Sequence, residues 1–506
     1  MTDPADRVLT NAEVHTLADP DAIHEALAIR DGRIVRVDSE YEIEFLVGVE
    51  TEVIDCEGRA VLPGFVDAHT HMETLGRYLV YADLSGASDA EECLSRFDPG
   101  EGSGWLLGFG YDESAWSPPR YLTRDDLDRV STDRPVCAFR EDMHVASLNS
   151  VAIERHVEAM PADDVEFRDG EPTGVIVEEA VDTVYEAVAP DPEETRELLQ
   201  AAQELANELG VTAVHDMVRD SHAPRVYRDL DLEGELSLRV RINYWSDHLD
   251  AVREAGLRTN HGSAFVRTGA IKTYTDGSFG GRTAKLSEPY ADGEGTGQWV
   301  VDPEQLAAFA AEASDAGFQL TAHAIGDEAV DACLDAFEGC EDPGEARHRV
   351  EHVELASEEA VERFAGSRIV ASVQPNFLKW ARPGGLYEAR LGPERREATN
   401  RYRDLLDAGV PLAFGSDCMP LDPLFGVHQA VTAPAEDQRL SVTEALRAYT
   451  SGGAYAGFDE ERMGTIETGK LADIVVLEDS PWEVEPIDGI DVALTLVDGE
   501  VVYDGR

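Results

Sequence analysis

Eight apolar runs of strand length recur along the middle of this chain: "AVLPGFVDAH" (60–69), "GVTAVHD" (210–216), "LRVRINYW" (238–245), "GAIKTYTDG" (269–277), "FQLTAHAIGD" (318–327), "HRVEHVE" (348–354), "RIVASVQP" (368–375) and "VPLAFGSD" (410–417). Runs like these suit parallel strands buried on both faces. Helix-patterned segments such as "PEETRELLQAAQELANELG" and "PEQLAAFAAEASDAG" separate them. This alternation predicts an α/β fold, a (β/α)8 TIM-type barrel over 62–460, with its chemistry at the C-terminal ends of the strands.

The two chain ends read differently. Residues 1–61 and 461–506 hold short alternating strands with hairpin signals at Asp31-Gly32 and Asp498-Gly499, so they are expected to form one composite β-sandwich domain. Between the first and second barrel strands, about 73–200 is too long for a loop, and an insertion subdomain forming a lid over the barrel mouth is expected there.

Charge narrows the function classes. The formal charge of −60, from 102 acidic and 42 basic residues, opposes nucleic acid and anionic membranes by repulsion. Acid is spread along the whole chain and only four lysines occur (Lys272, Lys285, Lys379 and Lys470), the surface expected of a salt-adapted, halophilic cytoplasmic protein. No apolar run has membrane-spanning length, and "MTDPADRVLT" has no signal-peptide pattern. Six cysteines without a CxxC pair read as reduced packing residues. The expected partner is a small-molecule substrate, with a homodimer left open.

The first strand ends in Asp67-Ala-His69-Thr-His71. Strand side chains alternate faces, so His69 and His71 share one and can hold a single ion, although two hydrogen-bonded turn histidines would read the same way. Other strand ends supply Lys272, His323, His352 and Asp417. Each alone also fits a rim or core role, and Asp417 fits a helix N-cap. A lysine inside an apolar strand must find an anion, lose its charge or snorkel to solvent.

Taken in order, these residues resemble the amidohydrolase superfamily of metal-dependent hydrolases, over nearly the whole chain. The motifs "GFGYDESAW", "DMHVASLNS", "EPTGVIVEEA", "GVTAVHDM", "KTYTDGSFGGRTA", "AHAIGDEAVDACLDAFE", "RVEHVEL" and "FGSDCMP" are similar to the amidohydrolase family 3 branch that includes N-substituted formamide deformylases. The resemblance implies that His69 and His71 bind one metal and His323 and His352 a second. It further implies that Lys272, carboxylated, bridges them and that Asp417 touches metal and moves the proton. One or two divalent ions, zinc foremost, are expected. Met143 and Cys418 depart from the branch's pattern and bear on substrate fit.

The chemistry expected is hydrolysis of an amide-type C–N bond by activated water, with N-formyl or N-acyl amines as substrates. A deaminase or cyclic-amide hydrolase on the same scaffold is the alternative, and a non-catalytic binding protein the second. Asp417 would carry the proton, and His215 or His144 would stabilise the oxyanion. His215 also fits a hydrogen bond to Asp216, and His144 a packed insertion residue. Glu178, Asp276 and Arg282 are candidate substrate contacts, against an acidic helix face and structural turns, and Trp116 is a candidate substrate contact expected to line the entrance.

Overall fold

The computed structural model describes residues 3–98, 104–141 and 144–506. Asp142 and Met143, from "DMHVASLNS", lie outside the described residues. The chain divides into two compact units, one of Met1–Met72, Gln203–Asp220 and Pro224–Arg506, the other of Glu73–Ala202 and Ser221–Ala223. Among the described residues no helix is long and apolar enough to cross a membrane.

An eight-stranded parallel sheet centres the first unit. Its strands are β1 (Phe65–Thr70), β2 (Val211–Val218), β3 (Arg239–Trp245), β4 (Val266–Tyr274), β5 (Leu320–Ala324), β6 (Arg349–His352), β7 (Val370–Val373) and β8 (Leu412–Phe414). Each pairs with the next in sequence, from β1 to β8. Each of the eight expected runs overlaps a barrel strand, because residues buried on both faces leave an unbroken apolar signal. The sheet is a nearly closed barrel. Its β8–β1 seam is held by hydrogen bonds from Asp417 N to His69 O (2.7 Å) and from Ser416 N to Asp67 Oδ1 (3.0 Å). Glycine is required at this seam, since a Cβ on Gly415 would stand 2.5 Å from His69 N.

The first run is two strands rather than one. Ala60–Pro63 pairs antiparallel with Ile474–Leu477, and only after Gly64 does β1 enter the barrel. Gly64 packs so closely on β2 that a Cβ there would lie 2.3 Å from Thr212. An apolar run carries no mark of which sheet each half joins.

Two sheets are built from the chain ends. One has four strands in the order 33–38, 26–30, 7–10, 52–55. The other has six, in the order 500–504, 492–497, 474–477, 60–63, 13–15, 23–24, so it joins both ends of the chain. Leu9, Leu27 and Ile54 of the first share a core with Val61, Ile474, Val476 and Leu494 of the second.

The second unit has its own six-stranded mixed sheet, ordered 165–168, 171–177, 145–148, 136–140, 106–111, 82–83. Phe109, Phe139 and Ile176 belong to one of its apolar clusters, and Leu106, Val136 and Ala138 to another. Strands 106–111 and 136–140 feed both cores by alternation, Leu106 and Val136 on one face and Leu107 and Cys137 on the other.

Candidate metal centre

Three donors converge where β1, β6 and β8 end. His69, His352 and Asp417 each offer one ligand atom, and these atoms lie within 4.8 Å of one another. His71 Nε2 stands 3.2 Å and His69 Nε2 3.6 Å from Asp417 Oδ1. The His323 and His352 rings are 4.4 Å apart, and those of His69 and His352 5.0 Å.

Neighbouring acceptors fix the tautomers. His69 Nδ1 lies 2.7 Å from Glu351 Oε2, and a carboxylate can only accept, so the lone pair is on Nε2, toward Asp417. His323 Nε2 donates to Gly277 O at 2.9 Å, leaving the lone pair on Nδ1. The buried Nδ1 of His352 has no hydrogen-bond partner. Such an orphan costs roughly 1–3 kcal/mol unless something compensates it, and imidazole nitrogens gathered within 4.8 Å of a carboxylate oxygen are the donors a cation takes.

Electrostatics agree with that reading. Burial, joined by the Lys272 charge, holds His69 below the usual histidine range and brings His323 down to about 3. Burial together with His323 and His69 holds His352 well below it. Burial would lift Asp417, but the hydrogen bond with His71 and the nearby His69 and His352 hold it well below the carboxylate range. His69, His323 and His352 are thus neutral imidazoles beside an ionised carboxylate, the protonation state a divalent ion needs, whereas at His71 burial is outweighed by the hydrogen bond and charge of Asp417, which raise it above the usual histidine range. Lys272 is buried on β4, and burial lowers its amine to about 8 against the opposing pull of Glu351 and Asp417. Its Nζ lies 5.5 Å from the Tyr274 ring centre.

The remaining candidates fall elsewhere. His215 is buried, its Nδ1 2.8 Å from Arg349 Nη1, and lines a cavity at the N-terminal ends of β1–β4; it is not a member of the donor cluster. Asp216 bonds Met72 N and Tyr227 instead. Asp276 is fully buried and accepts from the backbone N–H groups of Lys285, Ile325 and Gly326, with His323 Nε2 3.5 Å away, so it braces a ligand loop rather than facing solvent. Arg282 is exposed and paired with Asp292 at 2.8 Å. In the second unit Trp116 is a core residue, its indole donating to Ala87 O at 2.8 Å. His144 and Glu178, also there, are exposed and meet at 3.2 Å.

Glu351 and Asp67 were not legible as site residues. Fully buried Glu351 accepts from His69, Thr321 and Arg349. Alternation would put it on the face opposite His352, yet both contact His69, because His352 has φ +74° and breaks the period. A glutamate beside a histidine inside an apolar run was the available signal. Asp67 accepts from His69 N and Ser416 N, tying β1 to the loop that carries Asp417.

A model of the amidohydrolase family matches residues 52–503. YtcJ of Bacillus subtilis is 31% identical over 97% of this chain and 98% of its own length. An N-substituted formamide deformylase of Arthrobacter pascens is 27% identical over 100% and 99% respectively. The crystal structure of a metal-dependent hydrolase from Pyrococcus furiosus superposes with a TM-score of 0.83 at 30% identity, covering 94% of this chain and 100% of that one.

Proposed function

This chain belongs to the amidohydrolase family and is a metal-dependent hydrolase of carbon–nitrogen bonds other than peptide bonds, and we propose that its substrates are N-formyl or N-acyl amines. The observation that carries the site reading is the convergence of His69, His352 and Asp417. His71 and His323 complete the ligand set. Imidazole and carboxylate donors suit zinc, which when bound acidifies water and polarises a carbonyl. Asp417, ionised and beside His71, takes the proton from the attacking water and returns it to the leaving nitrogen, so that amide and water become acid and amine. Glu351 holds the His69 ring in its tautomer throughout. Lys272, its amine lowered to about 8 by burial, would in its neutral fraction add carbon dioxide, release one proton and become a carbamate that offers two more oxygens. The deformylase similarity over the full chain favours acyclic substrates over cyclic amides. We read the dispersed acid as the surface of a halophilic cytoplasmic protein.

The test is a substrate panel in concentrated KCl, measuring formate or acid release from N-formyl and N-acyl amines beside cyclic amides and amino-heterocycles. Release from the acyclic amides at rates well above the others is expected. Turnover confined to cyclic amides, or ammonia from heterocycles, would overturn the substrate assignment.

A further inference from the structure

At the other end of the barrel the N-terminal parts of β3 and β4 carry arginines into a half-enclosed space. Arg241 meets Asp459 through Nε (3.0 Å) and Nη2 (2.7 Å), Arg267 Nη1 meets the same carboxylate at 3.2 Å, and Arg462 Nη1 at 2.7 Å. Three guanidiniums thus share one carboxylate. Beside them Arg239 is paired with Asp473 (2.6 Å) and Asp498 (2.9 Å). The four guanidiniums face three carboxylates, so one positive charge is unmatched. The other acceptors are neutral: Asn260 Oδ1, Ser263 O and Ala264 O. His215 adds no charge, because burial and the neighbouring Arg349 and Arg241 keep it deprotonated.

Acid is not scarce in a chain with 102 acidic residues, so the deficit lies in this spot and not in the composition. Arg241 is almost wholly buried and takes Asp459 Oδ2 through two nitrogens, so the unmatched charge falls on Arg267 and Arg462, whose side chains are mostly enclosed but 23% and 22% exposed. Among the described residues Arg267 Nη2 and Arg462 Nε have no protein acceptor. His215, Arg241, Arg267, Asp459, Arg462 and Met463 line a half-open cavity of about 10 Å³. Gly457 keeps its neighbourhood open, since a Cβ there would lie 2.6 Å from Arg241 Nε and 2.7 Å from His215 Nε2.

We infer that this floor of the barrel binds one small monovalent anion, of chloride size, held by Arg241, Arg267 and Arg462. The anion supplies the missing charge and ties the β3–β4 floor to the 459–463 segment. Nothing in this depends on the substrate assignment.

Bromide is the probe. Crystals grown in KBr should show one anomalous peak within hydrogen-bond distance of Arg267 and Arg462. In solution, melting temperature is compared in KCl and in potassium glutamate at equal potassium, because glutamate is too large for the cavity. Solute-exclusion effects are common to all variants, so the reading is the difference between the salts. Gly457→Ala, whose Cβ would push Arg241 and His215 out of place, and Arg267→Gln, which removes the unmatched charge, should each lower that difference by about 2 °C relative to the wild type. Because each variant is compared with itself, a general loss of stability does not imitate the result. A cavity without a bromide peak overturns the proposal, and so does a peak accompanied by identical salt differences in all three proteins, which would mean binding at crystal concentration only.

Discussion

At the C-terminal ends of the barrel strands burial strips protons from imidazoles; at the N-terminal ends it leaves guanidiniums charged. His323 and His352 are driven far below their ordinary range by burial and neighbouring charge, while Arg239 and Arg241, just as enclosed, stay cationic because deprotonating a guanidinium costs more than pairing it. The two ends therefore call for opposite counter-ions. Neutral nitrogen lone pairs around an ionised Asp417 attract a cation, and permanent cations one carboxylate short attract an anion. Residue type, more than burial, decides which charge a pocket inside one barrel recruits.

The largest effect should follow from breaking the mouth. Asp417→Asn keeps the shape but removes the ionised oxygen that moves the proton, and kcat should fall by about 10²–10⁴-fold with KM less affected. Steady-state kinetics on a formamide would check this, and a loss under tenfold would place the proton carrier elsewhere.

Glu351→Gln breaks the link between the two ends, since Glu351 accepts from both His69 and Arg349. It leaves Arg349 with an uncompensated buried charge and His69 without its acceptor. Unfolding stability should fall by about 3–5 kcal/mol, and metal affinity by about 10–100-fold. Chemical denaturation and competitive metal titration read these separately, and wild-type values in both would remove Glu351 from the account.

Lys272 sharpens the contrast because it is the cation placed at the neutral end. If its amine is used as a carbamate, Lys272→Ala should lose metal and rate and regain part of both with small carboxylic acids, whereas Lys272→Arg should stay inactive in their presence. An active Lys272→Arg enzyme would make it an ordinary charged lysine.

His348 carries the smallest effect, and it shows an imidazole at the arginine end behaving as those at the mouth do. Just before β6, fully buried, it is held at about 4, from an ordinary 6.5, by burial. The folded state binds fewer protons than the unfolded one, so its stabilising contribution is full above pH 6.5 and lost as pH falls toward 4. Between pH 7 and pH 5 the wild type should lose about 2 kcal/mol more than His348→Gln. Parallel losses would mean that the ring protonates in place.

How far the sequence could be read follows from the same physics. Each barrel strand was visible because burial on two faces leaves an uninterrupted apolar run, and the strand-end donors were visible because polar residues interrupt such runs at their C-terminal ends. The break at Gly64 was not, since Val61 and Val66 are equally apolar although they serve different sheets. Glu351 was hidden by the φ of His352, a backbone conformation that non-glycine residues seldom adopt and that no pattern announces. Trp116, expected at an entrance, packs in the core of the insertion unit, where burial and a backbone acceptor satisfy it completely. The floor arginines looked like ordinary polar punctuation, because their shared carboxylate, Asp459, is 192 residues beyond Arg267.

We propose that His69, His71, His352 and Asp417 hold a catalytic ion. The direct measurement is metal content per chain alongside formate release, in the wild type and in His69→Ala, before and after chelation and metal return. The account predicts at least one divalent ion per wild-type chain, activity that disappears on chelation and returns with metal, and neither metal nor activity in a folded His69→Ala. Full hydrolysis by the metal-free wild type, or unchanged metal and rate in His69→Ala, would contradict it.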